Sequence, residues 1–338
     1  MGTYTREILA ALERTERPRL LVYGPGAREI PGPRLVGRHF LWPRRLRRLD
    51  IDVFFGPAGL LPLAGPGVPS VITVHDLAIY LRPEWFPPGQ PFSTRIVVPR
   101  SIERADAVIA VSRNTARDLE RIFEIGADRV DVIPEGVSES FQPLPPERLA
   151  EVRDRYQLPE RFILFVGTLE PRKNVTTLVD AWEALPRGER PELVVAGGWG
   201  WRTEAIRARL ERAGSGLRLL GSVPYSDLPA LYNLATVLAH PAHYEGFGLT
   251  PLEAMACGTP VICSNAASLP EVVGSAALTA PPDDVQAWTA ALERVLQEPE
   301  LGLRLRAQGL LRAAEFTWER AARQTYSVLQ RTASPARS

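Results

Sequence analysis

The chain has 338 residues, room for two domains, and 40 basic against 39 acidic side chains give it a net charge of +1, with no global field to hold nucleic acid. Its two cysteines, Cys257 and Cys263, are too few for a disulfide framework and lack metal-ligand spacing, so they read as reduced core thiols. The opening residues carry no signal-peptide pattern, and a cytoplasmic setting is expected.

Along the chain, a helical segment, GTYTREILAAL, comes first. Short β-rich runs follow: LLVY, DVFF, VITV, AVIAV and VDVIP, separated by helical patterns or loops. Val53 to Val74 is uncharged over 22 residues, the length of a membrane span. Four prolines and four glycines within it rule out a single helix, so it reads as strand, loop and strand ending at His75. Pro134 to Pro146 is proline-rich and polar and reads as a connection between domains. The alternation then repeats with FILFVG, ELVVAGG, LRLLGSV, TVLAHP, PVICS and AALTA, and from Asp283 to about Arg331 the pattern is helical. The expectation is an α/β protein with two Rossmann-like parallel-sheet domains, residues 1–140 and 141–316, and a final helix over 317–332.

The densest signal is HPAHYEGFGLTPLEAMACGTPVICS, His240 to Ser264. It orders a strand, a glycine-bearing loop, a helix and a strand, and it holds Glu245 and Glu253 with seven residues between them. In parallel α/β sheets such a loop lies beyond the carboxyl ends of the strands, where ligands bind. Thr250-Pro251-Leu252-Glu253 reads as a capping box, with Thr250 as N-cap and Pro251 at the first helical position. Glu253 therefore has a purely structural reading beside a binding one. Glu245, flanked by the flexible Gly246-Phe247-Gly248, is either a solvated loop carboxylate or a ligand-facing one.

Lysine usage singles out a second position. Of the 40 basic residues 39 are arginine, and the one lysine is Lys173, in Gly167-Thr-Leu-Glu-Pro-Arg-Lys-Asn174 after a strand and before a helix. A helix N-terminus favours anions, and a compact ammonium beside it suits a phosphate. The competing reading is an exposed surface lysine.

These segments resemble the retaining glycosyltransferases of family 4. The Glu-x7-Glu string, RFILFVGTLEPRKNVTTLVDAW (Arg161 to Trp182), VPSVITVHDLAIYLRPEWFPP (Val68 to Pro88), ADAVIAVS and VDVIPEGV carry the resemblance, which spans nearly the whole chain and points to the mannosyltransferase-like branch. It implies a GT-B fold, two Rossmann-like domains facing a central cleft, with the last helix crossing back to the first domain. It implies retaining, metal-independent transfer of a hexose, mannose or similar, from a nucleotide-diphosphate sugar to a saccharide or lipid-linked acceptor in polysaccharide assembly. No cofactor is expected, the nucleotide sugar being a substrate.

By the same resemblance, Arg172 and Lys173 would stabilise the departing diphosphate. Glu245 would hold hydroxyls of the donor sugar, Glu253 the ribose hydroxyls, and His75 would position the sugar. Gly167, Thr168, Val223, Gly246, Phe247, Gly248 and Leu249 would complete the donor site, with backbone near Gly221-Ser-Val223 against the base. No acceptor base is evident, and the two glutamates differ from a glycosidase pair in sharing one loop. Thr168 departs from the family, where arginine commonly follows the glycine equivalent to Gly167; Arg172 is the candidate second cation.

Other motifs carry less. Asp50-Ile-Asp52 matches the Asp-x-Asp of metal-dependent transferases but only introduces a strand, and four histidines show no ligand spacing, so no metal is expected. Ala196-Gly-Gly-Trp-Gly-Trp201 lacks the full dinucleotide fingerprint and reads as a cleft-side loop. Family members begin with a strand that this chain lacks before GTYTREILAAL, so the first strand of the N-terminal domain is expected to be missing, with a gap in the sheet and a start further upstream. FLWPRRLRRL, with Arg44, Arg45, Arg47 and Arg48, reads as a solvated cluster or as a peripheral contact with anionic lipid. Two other classes of function stand beside transfer: a nucleotide-sugar 2-epimerase and a non-catalytic nucleotide-sugar binder.

Overall fold

The computed structural model describes residues 2–22, 46, 48–188 and 190–333. The chain divides into two compact units, Met1–Tyr80 with Pro88–Gly136 and Phe316–Ser338, and Leu81–Pro87 with Val137–Glu315.

In the first unit a parallel sheet runs in the order β1 (Phe54–Gly56), β2 (Ser70–Val74), β3 (Ala107–Ala110), β4 (Val130–Val132). The uncharged Val53 to Val74 stretch thus forms two strands and the loop between them. β2 and β3 are buried along their whole length, as apolar runs covered on both faces must be. One cover is the helix Thr3–Thr15, whose Tyr4, Ile8, Ala11 and Leu12 recur at helical spacing on one buried stripe. They share a core with Val71, Ile109 and the helix Trp318–Ala333, through Trp318, Ala322, Val328 and Leu329. Gly136 lies so close to that last helix that a Cβ would meet the Trp318 nitrogen at 2.3 Å. The other face packs Leu61, Ile72, Val74, Ile102, Val108 and Leu119 together.

The strands are contiguous, so among the described residues the sheet shows no internal gap of the kind expected from a missing strand, and Phe54–Gly56 stands at its edge. Leu20–Val22, the described part of LLVY, form no strand. Arg44, Arg45 and Arg47 lie outside the described residues, and Arg48 is exposed.

The second unit holds a six-stranded parallel sheet in the order β10-β9-β8-β5-β6-β7: β5 (Phe162–Val166), β6 (Glu192–Ala196), β7 (Leu217–Gly221), β8 (Val237–His240), β9 (Val261–Ser264) and β10 (Leu278–Ala280). The chain builds outward from β5 through β6 to β7, then returns to pair β8 on the other side of β5. The order reverses there, so the loops that leave β5 and β8 open a crevice at the carboxyl ends of adjacent strands. Beneath it the helix Val175–Ala184 buries Leu178, Val179 and Trp182 against Phe165 and Val195, and the helix Val285–Gln297 adds Trp288 and Leu292. Asp284 caps that second helix by accepting from the Ala287 amide at 3.0 Å. Cys257 and Cys263 are buried free thiols; burial pushes Cys263 up to about 12. Among the described residues no helix is long and apolar enough to cross a membrane.

Candidate functional site

The crevice of the second unit gathers the charged residues singled out by sequence. After β5 the chain passes Gly167, makes a short 3-10 turn over Pro171–Lys173, and enters the helix Val175–Ala184 through Asn174 in a left-handed conformation. Asn174 donates to the Pro282 carbonyl at 2.8 Å and accepts from Thr177 at 2.9 Å, which fixes the turn. After β8 the loop from Pro241 to Gly248 runs alongside, and the His243 amide donates to the Arg172 carbonyl at 2.9 Å. Glu245 thereby meets both cations. Arg172 donates to its Oε2 at 3.0 Å, and the Lys173 ammonium donates to its Oε1. Arg172 also pairs with Glu170 at 2.7 Å. Lys173 is thus no free surface lysine: its side chain is only 13% exposed.

A residue that sequence reasoning passed over completes the cluster. His240, the last residue of β8, is fully buried, and its Nε2 lies 2.9 Å from Glu245 Oε1. A carboxylate only accepts, so Nε2 carries the proton and Nδ1 the lone pair, for which no partner is present among the described residues. Burial pulls His240 below its ordinary value and outweighs the opposing pull of Glu245. Burial pushes Glu245 up, but Lys173, the His240 hydrogen bond and Arg172 together hold it well below the usual carboxylate range. Glu245 is therefore a fixed anion.

The Glu245 loop is pinned from behind. Ser268 donates toward the carbonyls of Glu245, at 2.8 Å, and Phe247, at 2.5 Å, and Ser264 donates to that of Ala242 at 2.5 Å. Gly246, Phe247 and Gly248 are buried, and Leu249 half-buried. His243 stacks on Trp85, 5.5 Å between ring centres.

The helix after this loop departs from expectation. It spans Leu249–Ala256 with Gly248 as N-cap and no side-chain cap, so the capping box at Thr250 and Glu253 does not form. Gly248 takes φ +118°, a turn that glycine makes without a Cβ penalty, and this starts the helix before Thr250. Pro251 is tolerated because first-turn amides have no intrahelical partner. Glu253, released from capping, is buried and accepts from the Tyr232 hydroxyl at 3.0 Å.

A second loop closes on the first. Leu169 and Trp199 form a parallel bridge, with the Leu169 amide donating to Gly198 at 2.9 Å and the Gly200 amide to Leu169 at 3.0 Å. A Cβ on Gly197 would lie 1.9 Å from the Gly167 carbonyl oxygen. Gly197 and Gly200 thus allow this loop to approach the backbone of the Gly167 loop closely. Thr168 is exposed on that loop; Val223 is half-buried beyond Gly221, whose carbonyl accepts from the Gly197 amide at 2.8 Å.

His75 belongs to the first unit, where it directly follows β2. Its Nδ1 lies 3.0 Å from Glu135 and its Nε2 2.8 Å from the Pro57 carbonyl. Asp50 and Asp52 precede β1, and among the described residues no three His, Cys, Asp or Glu side chains cluster as a metal site.

Two family models divide the chain: Glycosyltransferase Family 4 over residues 4–141 and Glycosyl transferases group 1 over 151–312. O-antigen chain mannosyltransferase B from Escherichia coli is 37% identical over 85% of this chain and 77% of its own length. The chain belongs to glycosyltransferase family 4. Within the family, the serotype-specific mannosyltransferase WbdA of Escherichia coli is 34% identical over 74% of this chain, which spans 32% of WbdA. The sucrose-phosphate synthase of Thermosynechococcus elongatus superposes with a TM-score of 0.66 at 30% identity, over 78% of this chain and 68% of that one. WaaG, a glycosyltransferase involved in lipopolysaccharide biosynthesis, matches in fold with a TM-score of 0.76 at 16% identity, over 97% and 96% of the two chains. The fold is therefore GT-B, built on two parallel-sheet Rossmann-like domains, and the protein is a glycosyltransferase with relatives that are mannosyltransferases of O-antigen assembly.

Proposed function

We propose that this family 4 enzyme transfers a hexose, mannose or a close relative, from a nucleotide-diphosphate sugar to a saccharide or lipid-linked acceptor, with retention at the anomeric carbon and without a metal. The observation that carries the reading is the junction of Arg172, Lys173 and Glu245 at the crevice between β5 and β8. Breaking the anomeric C–O bond loads negative charge onto the departing diphosphate, and cations already held in place lower that barrier. Arg172 and Lys173 are those cations in this proposal. Glu245, kept ionised, accepts hydrogen bonds from donor-sugar hydroxyls. Glu253 takes the ribose hydroxyls, and Gly167, Thr168, Val223, Gly246, Phe247, Gly248 and Leu249 form the walls. The diphosphate itself takes the proton of the acceptor hydroxyl as the new C–O bond forms. Family 4 relatives among the mannosyltransferases support the choice of sugar, and Anabaena HepE, crystallised with UDP-glucose, is a fold neighbour at 21% identity with a TM-score of 0.67, over 78% of this chain and 73% of that one.

A thermal-shift panel of nucleoside diphosphates and their sugars, run with wild type and Lys173→Ala, tests the donor site. One diphosphate that raises Tm in wild type and hardly in the variant supports it and names the base. No shift with any nucleotide overturns it. Full activity in excess EDTA supports the metal-free route, and loss of turnover restored by a divalent ion overturns it. Product anomers read by NMR test retention. A lipid-linked acceptor would bring the enzyme to an anionic surface, with Arg44, Arg45, Arg47 and Arg48 as the contact; flotation with anionic liposomes unchanged when all four become alanine would sink that part.

A further inference from the structure

The first unit pairs His75, its side chain 36% exposed, with a buried carboxylate. Glu135, in the PEGV turn after β4, is only 5% exposed, and its Oε1 lies 3.0 Å from His75 Nδ1. On the other side of the ring, Nε2 lies 2.8 Å from the Pro57 carbonyl, just beyond β1. Tyr4 stacks edge-on at 4.5 Å, held by its hydroxyl against Thr73 at 3.1 Å. The imidazole thus bridges a carboxylate and a carbonyl, and both of these only accept. A neutral ring has one proton and can satisfy one of them; the imidazolium satisfies both.

We propose that Glu135 is a positioning residue that holds His75 as a doubly protonated imidazolium, so that His75 serves transfer as a fixed cation and not as the acceptor's base. The other groups around the ring agree. Tyr4 stays neutral because burial raises its phenol, Asp76 adds negative charge beside the ring, and Thr73 and Thr115 are uncharged. Burial alone would pull His75 down, but the hydrogen bond and charge of Glu135, the Pro57 carbonyl and Asp76 outweigh it and raise it. The pair's contribution to stability is therefore complete below the ordinary histidine value of 6.5 and is lost as pH rises through the higher folded value. The catalytic consequence rests on the transfer reading above. With His75 already protonated at both nitrogens, the acceptor proton goes to the departing diphosphate as the anomeric bond to acceptor oxygen replaces that to diphosphate oxygen.

The chain has four histidines, so 15N-histidine NMR resolves them, with His75→Asn to assign the signal. Titration from about pH 5 to about pH 9 is expected to show both His75 nitrogens protonated above the ordinary 6.5 in wild type. In Glu135→Gln the midpoint is expected to move down. A neutral His75 at about pH 6.5 in wild type, or a midpoint unchanged in the variant, overturns the proposal. The wild-type titration stands even if the variant fails to fold. In turnover, the alkaline limb of kcat is expected to shift to lower pH in Glu135→Gln with donor KM nearly unchanged, and Glu135→Asp should restore part of it. An alkaline limb that stays in place in Glu135→Gln overturns the catalytic role. No turnover with the NMR signature intact would overturn the donor reading while leaving the charged pair standing.

Discussion

His240 Nε2 donates to Glu245 Oε1 across 2.9 Å, tying the end of β8 to the loop that follows it. The same oxygen accepts from Lys173, so a buried neutral imidazole at the end of β8 and an ammonium from the turn after β5 meet on one carboxylate. The carboxylate is ionised because its neighbours hold it so, and the histidine is neutral because it is buried.

Glu245→Gln removes the charge partner of Lys173 while keeping the side chain's shape. Breaking one half of a buried pair costs about 3 kcal/mol, which urea unfolding will read as a lower midpoint at unchanged slope. If Glu245 competes with a diphosphate for the two cations, the variant also binds a nucleoside diphosphate at least as tightly as wild type while losing transfer of the sugar. Calorimetric titration gives the first result and turnover the second. A variant as stable as wild type would show that the pair contributes nothing.

His240 sets an acid-side slope in stability. Its folded value lies below the ordinary 6.5, so as pH falls below 6.5 the unfolded chain takes up a proton that the folded chain refuses. Stability falls with it, until the lower folded value is reached. Glu245 opposes no part of this slope, because its own stabilising effect is lost only as pH falls below its ordinary 4.5 toward a much lower folded value. The change in urea midpoint from about pH 7 to about pH 5.5 should be less unfavourable in His240→Asn than in wild type, the opposing contribution of His75 and the parallel one of His243 being common to both.

Gly197→Ala places a methyl group 1.9 Å from the Gly167 oxygen, and backbone must move to admit it. Overpacking of this kind costs about 1–3 kcal/mol, and displacement of the Gly167 loop weakens diphosphate binding. Gly188→Ala, where the new Cβ meets nothing within 4 Å, is the control and leaves both Tm and binding close to wild type.

Tyr232→Phe removes the hydroxyl that donates to Glu253 at 3.0 Å. Loss of a buried hydrogen bond to a carboxylate lowers stability by about 1.5–3 kcal/mol. If Glu253 takes the ribose, the variant binds nucleoside diphosphate more weakly but inorganic diphosphate as before. Parallel titrations with the two ligands check this.

Trp318→Ala tests the closure of the first unit. Trp318 is 4% exposed and lies edge-on to Tyr4 at 5.6 Å. Emptying that position costs about 3–5 kcal/mol, and because Tyr4 also supports His75, the His75 NMR signals should broaden or move while those of His240 stay in place. Chemical denaturation with histidine NMR reads both.

Much of this was legible in the residues themselves. Apolar, β-rich runs such as FILFV and VITV read as buried parallel strands, and proline and glycine broke the uncharged Val53 to Val74 stretch into two strands. The solitary Lys173 and the Glu-x7-Glu string marked the crevice because unusual residues at strand ends are set by chemistry more than by packing. Tertiary structure decided what periodicity could not express. His240 reads as the tail of an apolar strand, and only the pairing of β8 with β5 turns it toward Glu245. Glu253 satisfies a local capping rule, yet the turn at Gly248 shifts the helix start and Tyr232, 21 residues away, claims its carboxylate. Glu135 lies 60 residues from His75 in a turn with no charge pattern of its own. Local sequence sets which backbone forms; long-range hydrogen bonds and burial set which side chains meet, and the charges of this protein's histidines follow from those meetings.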